Sequence, residues 1–228
     1  MCGDVSDVNG KWLARALEKL GVLVRLIATL PDDRASVAGF VGWAHRTYGF
    51  VVVAGGLGGT PDDVTRDAIA DAFGVERRLD VALASELEAQ GGYAAVFASE
   101  WCRLPVGSRR LRGTPGGAPP FAIENVYVLP GVPSEMRVTF REVRAELFSG
   151  PPRDTWRRSF RTTEDEIAAL LIELSRLHGG VTLGSYPRFG ERGPEVEIVL
   201  RGPDAEAVEA AASHAEAALL ARGIGQVD

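Results

Sequence analysis

The sequence predicts an α/β protein: a three-layer α/β/α domain built on a mainly parallel sheet, followed by a small α+β domain. Three observations carry this. Phe50 to Ala54 is a continuous apolar, β-branched run, the pattern of a strand buried on both faces of a parallel sheet. It stands within an alternation of helical and extended patterns from Trp12 to Phe73, which calls for βαβ crossovers and a sheet covered on both sides. Beyond the Gly- and Pro-rich stretch Ser149-Gly-Pro-Pro-Arg153 the pattern changes to strand, helix, strand, strand, helix. The expected domains are 1–150 and 154–228.

Each element has a local cause. Met1 to Gly10 has no strand pattern; Trp12, Leu13, Ala16, Leu17 and Leu20 then recur at helical spacing, and Gly21 closes that helix. Val22 to Leu30 reads as a strand, and Pro31-Asp-Asp33 ends it and opens a helix carrying Val37, Phe40, Val41 and Ala44. After Phe50–Ala54 come Gly55, Gly56, Gly58 and Gly59, where the backbone can turn sharply and a ligand can approach the amides. Thr60-Pro-Asp-Asp63 reads as a helix start, with a Thr cap, Pro61 at the first position and carboxylates in the first turn. Val64, Ala68, Ile69, Ala72 and Phe73 give that helix its apolar face, and Gly74 ends it. Leu79 to Gln90 reads as helix, stopped by Gly91-Gly92, and Gly113 to Phe121 is a loop. Asn125 to Leu129 is a short strand, Pro130-Gly-Val-Pro133 a rigid turn, and Ser134-Glu-Met136 a helix start that Ser134 can cap.

In the second domain, a strand near Trp156–Thr162 precedes an amphipathic helix with Ile167, Leu170, Leu171, Leu174 and Leu177. Strands near Val181–Tyr186 and Glu195–Arg201 follow, then an alanine-rich helix from Asp204 to Arg222.

A hydrophobic content of 46% is enough to bury a real core, and a net charge of −6 argues against a nucleic-acid surface. Cys2 and Cys102 have no metal-ligand spacing and His45, His178 and His214 are scattered, so free thiols and no structural zinc are expected. No apolar run is long enough to span a bilayer and the N-terminus has no signal-peptide pattern; a cytoplasmic protein is expected, without nucleic-acid or membrane partners.

Strand, glycine loop and helix N-terminus together form a phosphate-binding geometry, because amide N–H groups and the positive end of the helix dipole converge there. The stretch is neither Gly-x-Gly-x-x-Gly nor a P-loop, which needs a Lys after its last Gly. Asp62 and Asp63 would repel a bare phosphate. They either hold a metal ion or move a proton, or they complement the helix dipole; both readings stand. Arg103, Arg109, Arg110 and Arg112 can grip phosphate or remain solvated.

Gly55-Gly-Leu-Gly-Gly-Thr-Pro-Asp-Asp-Val-Thr65 resembles the Gly-Gly-x-Gly…Asp-x-Thr signature of MoaB/Mog-type molybdopterin-binding domains, in the form closest to the CinA (competence/damage-inducible protein A) branch. Leu129-Pro-Gly-Val-Pro-Ser-Glu-Met136 matches the same branch, as do Gly3, Asp7 and Asn9 at the start, Trp101–Ser108, and Val181-Thr-Leu-Gly-Ser-Tyr-Pro187 in the small βαββα domain. The resemblance implies binding of a pyrophosphate-containing nucleotide or molybdopterin-like ligand, with metal-dependent hydrolysis of an ADP-ribose-type substrate. Molybdopterin adenylylation or non-catalytic nucleotide or pterin binding are the alternatives. It implies that Gly55, Gly56, Leu57, Gly58, Gly59 and Thr60 hold phosphate, and that Asn9, Pro130, Gly131, Pro133, Ser134 and Glu135 contact the ligand. Asp63, with Asp62, would act in catalysis, and Asp63 with Asp32 would bind a divalent ion (Mg, Mn or Co). Asp7, Asp32 and Asp33 are equally readable as helix caps. The family's Gly-x-Ala-Pro-Gly-Phe loop has a counterpart at Gly113–Phe121, with Pro120 in place of Gly. A homo-oligomer, dimer or trimer, is expected. The family's first strand, ending in Gly-Asp-Glu, has no counterpart before Gly3, so a sheet with an unfilled position is expected. Nicotinamide-nucleotide deamidation is not expected, because no amidohydrolase domain follows.

Overall fold

The structure, a computed structural model, describes residues 6–147 and 154–227. The chain divides into two compact units, Met1–Leu17 with Val24–Phe148, and Glu18–Leu23 with Ser149–Asp228. The expected linker Ser149–Arg153 and the motif residue Gly3 lie outside the described residues.

In the first unit, α1 (Val8–Glu18, its last residue assigned to the second) buries Leu13 and Leu17; Gly21, just past its end, has a φ of 74° that needs a residue without Cβ. Then follow α2 (Arg34–Thr47), β1 (Val51–Ala54), α3 (Thr65–Phe73), β2 (Arg77–Leu79), α4 (Val81–Gln90), α5 (Gly92–Trp101), β3 (Arg103–Pro105), β4 (Arg109–Arg110), β5 (Phe121–Ile123), β6 (Val126–Leu129) and α6 (Pro133–Val143). The main sheet runs β1-β6-β5-β4, and β2 and β3 form a separate antiparallel pair.

The α/β class is as expected, and the sheet is mixed: β1 pairs β6 in parallel, whereas β6–β5 and β5–β4 are antiparallel. The turn Glu124-Asn125, with Glu124 at φ 47°, makes β5 and β6 a hairpin. Two strand expectations change. Residues 22–30 form no strand, and Leu23, Leu26 and Ile27 are exposed; a strand exists only through pairing, and no described strand pairs with this segment. β1 is paired on one side only among the described residues and is half-buried, whereas all of β6 is buried. The doubly covered strand is therefore β6. Around it Val41, Leu57, Ile69, Phe121, Val126 and Val128 form the core.

The second unit is β7 (Asp154–Phe160), α7 (Glu164–Leu177), β8 (Thr182–Gly190), β9 (Gly193–Gly202) and α8 (Ala205–Ala221), the expected βαββα order. Its antiparallel sheet runs β7-β9-β8. Phe160, Ile167, Leu170, Leu174, Ile198, Leu200 and Leu219 fill its core, while Leu177, at the end of α7, is exposed. No helix among the described residues is long and apolar enough to cross a membrane.

Candidate functional site

The parallel register pairs Ala54 with Leu129, so the chain leaves β1 and β6 at the same end of the sheet, into the two glycine-bearing loops. The loops meet backbone to backbone: a Cβ on Gly131 would lie 3.1 Å from Cα of Gly55. Asn9, in the first turn of α1, donates from Nδ2 to the Gly131 carbonyl at 2.7 Å, and its Oδ1 is buried with no hydrogen-bond partner. Asp7 instead accepts from the Gly10 amide at 2.8 Å and caps α1. Pro130 is buried, Gly131 and Ser134 are exposed, and Pro133 and Glu135 are half-buried. Burial raises the Glu135 carboxyl above the ordinary glutamate range. A Cβ on Gly117 would lie 2.8 Å from Glu135 Oε2, so the loop after Gly113 borders the second glycine loop.

Helix starts divide into two kinds. Asp33 caps α2 by accepting from the Ser36 amide, Asp80 caps α4 through Leu83, and Asp204 caps α8 through Glu206. A reciprocal Thr163–Glu166 capping box closes α7. The helices that follow the two glycine loops, α3 and α6, begin from Val64 and Val132 and have no side-chain cap. Nor has α5, behind Gly91, to which neither loop leads. Thr60 and Ser134 are thus not caps, contrary to expectation: α6 begins at Pro133, and α3 begins only at Thr65.

The delay in α3 has a cause. The Asp63 carboxylate turns back to accept from the Thr60 amide at 3.0 Å and the Thr60 hydroxyl at 2.5 Å, and the Asp63 amide donates to the Thr60 carbonyl. That closes a separate turn, with Asp62 exposed within it, and the acidic residue in the first turn of α3 is Asp67. Two glycines are required by this packing. Gly56 has φ 64° and a Cβ there would overlap Oγ1 of Thr65, which donates to the Gly55 carbonyl at 2.9 Å; a Cβ on Gly58 would overlap the Asp63 carboxylate. The Leu57 side chain is in the core, so it offers a ligand only backbone.

Arg66 was not expected in the site. It is 3% exposed and donates to the carbonyls of Leu57 (2.8 Å) and Gly58 (3.1 Å). Burial, followed by repulsion from Arg77, lowers its pKa to about 10, so it stays charged at neutral pH. The sequence holds a signal for it: Arg66 falls on the α3 stripe of Ile69, Ala70 and Phe73, a cation at a core position. An open hollow of about 240 Å³ beside it is lined by Asp63, Asp67 and Glu100 as well as Arg66 and Arg77. Arg77 is already paired with Asp67 and Glu100, and this acidic lining does not favour a bare anion.

The expected metal pair is not brought together. Asp32 is exposed ahead of α2 and does not line the hollow that Asp63 lines, and among the described residues no three His, Cys, Asp or Glu side chains converge as ligands. Asp63 alone fits a divalent ion of the kind that takes one carboxylate and draws its remaining oxygens from phosphate and water.

Fold and loops define a class: an α/β domain whose two glycine loops meet at one end of its β1–β6 pair, joined in sequence to a small βαββα domain. A family model described as "Probable molybdopterin binding domain" matches residues 2–149, and one described as "FAD synthase, middle domain" matches residues 159–228. A protein of Archaeoglobus fulgidus is 33% identical over 221 residues, covering 95% of this chain and 92% of its own. A CinA-like protein of Gemmatimonas aurantiaca is 32% identical over 99% of this chain and 56% of its own; a probable FAD synthase of Caenorhabditis elegans is 29% identical over 91% and 46%. The chain thus spans about half the length of the latter two. A solved structure of CinA, of unknown function, from Thermoplasma acidophilum superposes with a TM-score of 0.59 at 26% identity, over 64% of this chain and 89% of that one. The chain belongs to the MoaB/Mog-type molybdopterin-binding domain family, in its CinA branch.

Proposed function

We propose that the protein binds a pyrophosphate-containing nucleotide or a molybdopterin-like ligand across the Gly55–Thr60 and Pro130–Glu135 loops, and hydrolyses the pyrophosphate of an ADP-ribose-type substrate. The observation that carries the reading is the juxtaposition of the two loops at one end of the β1–β6 pair, each leading to a helix without a side-chain cap. Nucleotide- or pterin-related binding is supported by the two family matches. In hydrolysis, the oxygen of water adds to one phosphorus, the bridging oxygen leaves with the other phosphate, and one proton is released. A divalent ion held by Asp63 would supply charge neutralisation. The chain's own contribution is to hold the phosphates with backbone amides and to keep the Asp63 carboxylate fixed by Thr60.

A non-catalytic binder is the second reading, favoured by the engagement of Asp63 in its own turn. Incubation with ADP-ribose and other dinucleotides, with Mg, Mn or Co, separates them. Metal-dependent release of AMP supports the hydrolase; binding by calorimetry without turnover supports the binder; no binding refutes both.

A further inference from the structure

Arg66 is a buried cation that Asp63, Glu100 and Asp67 stabilise only from a distance. Among the described residues it makes no ion pair within 4.0 Å, and its Nε is buried without a hydrogen-bond partner. An arrangement left so incompletely satisfied is costly, and partners for buried charge are the rule. What Arg66 does hold is the glycine loop, through the carbonyls of Leu57 and Gly58. A trans peptide is planar, with N–H opposed to C=O. Turning those two carbonyls toward Arg66 therefore turns the amides of Gly58 and Gly59 away from it, and neither amide has a hydrogen-bond partner among the described residues. Each carbonyl is polarised by the guanidinium, which makes the amide across the same peptide a better donor.

We infer that Arg66 is the positioning residue that makes this loop selective for polyanions: it aims the Gly58 and Gly59 amides outward, and its buried charge offsets Asp63, Asp67 and Glu100, which line the hollow beside the loop and would otherwise repel a pyrophosphate. The inference rests on the proposed ligand class and goes beyond it in naming what sets charge selectivity. It also accounts for an Arg on the apolar stripe of α3, where burying a charge costs stability.

The test is calorimetry of the full chain and of Arg66→Gln and Arg66→Lys, with inorganic pyrophosphate and inorganic phosphate as probes. Arg66→Gln is expected to lose at least about tenfold in pyrophosphate affinity, because hydrogen bonds to charged groups are the strong ones. It should also narrow the pyrophosphate-to-phosphate preference, and Arg66→Lys should restore part of that preference through its charge. Equal losses for both anions, leaving the preference intact, would make Arg66 merely structural and overturn the inference, as would unchanged affinity. A wild-type chain that binds no pyrophosphate would sink the functional reading and this inference together. If neither variant folds, the Arg66 Nε–H resonance of the wild type decides: it should shift when pyrophosphate is added, and a static resonance at saturation overturns the inference.

Discussion

The helices α3 and α7 begin in opposite ways, and the contrast separates a helix start built for stability from one kept open. At α7, Thr163 and Glu166 cap each other's backbone amides, and Glu164, Asp165 and Glu166 complement the dipole in the first turn. At α3, three potential capping groups are in sequence reach, Thr60, Asp62 and Asp63, yet the helix starts beyond them with Val64 at the cap. Thr60 and Asp63 bond to each other in the preceding turn, and Asp62 is exposed within it. The second glycine loop repeats the arrangement at α6, with Val132 at the cap and Pro133 at the first position. A helix end with no side chain on its amides is less stable by itself and better suited to an anion.

The largest effect is expected when the first loop is filled. In Gly58→Val, the new side chain meets the Asp63 carboxylate, so the turn that sets the start of α3 must move. Pyrophosphate binding is expected to vanish, while overpacking costs about 1–3 kcal/mol of stability; titration calorimetry and urea denaturation read the two effects separately. Thr163→Ala at α7 should do the reverse. Loss of a cap should cost about 1 kcal/mol in urea unfolding, with pyrophosphate affinity unchanged.

Much of this contrast was legible in the sequence, and the part that was not has physical reasons. The β1 strand, the glycine loop, the helix C-terminus at Gly74 and the βαββα order are written in local patterns and appear where expected. Residues 22–30 carry strand composition but form no strand, because pairing is a property of the partner as much as of the segment. The expected start of α3 lies four residues before the observed one (cap Thr60 against Val64), since Thr-Pro-Asp-Asp satisfies the rules for a cap and for a turn equally. The β5–β6 hairpin depends on Glu124 at positive φ, a conformation more usual for Gly or Asn, which gave no turn signal. Glycine spacing identified the loop, but not what holds it. Arg66 lies one residue past the motif, and only its place on an apolar stripe marks it.

Smaller effects are expected at α6. Val132 is 52% exposed and has the extended backbone of a cap position. Val132→Asn should cap α6 and raise stability by up to about 1 kcal/mol. If the open amides of α6 serve the ligand, the same change should weaken pyrophosphate binding; a gain in stability with full affinity would show that α6 is uncapped for no ligand's sake.

The smallest effect is expected at Glu135. Burial raises its carboxyl, so between the ordinary glutamate value and the raised one the folded chain holds more protons than the unfolded chain. The contribution of Glu135 to stability is therefore present at low pH and lost as pH rises through the raised value. Glu135→Gln should match the wild type in acid and exceed it slightly at neutral pH, measured as the difference between two stability–pH curves. Parallel curves would show that Glu135 is solvated and unshifted.

If the two glycine loops hold one polyanion together, an amide-resolved NMR titration of the full chain with inorganic pyrophosphate will show it at both loops at once. Shifts are expected to concentrate at Gly55–Gly59, at the first turn of α3 and at Gly131–Glu135, saturating with a single dissociation constant, while the capped starts of α2, α4, α7 and α8 stay in place. Shifts confined to one loop, or centred on the shallow hollow around Trp156, Arg157 and Arg158 in the second unit, would contradict it.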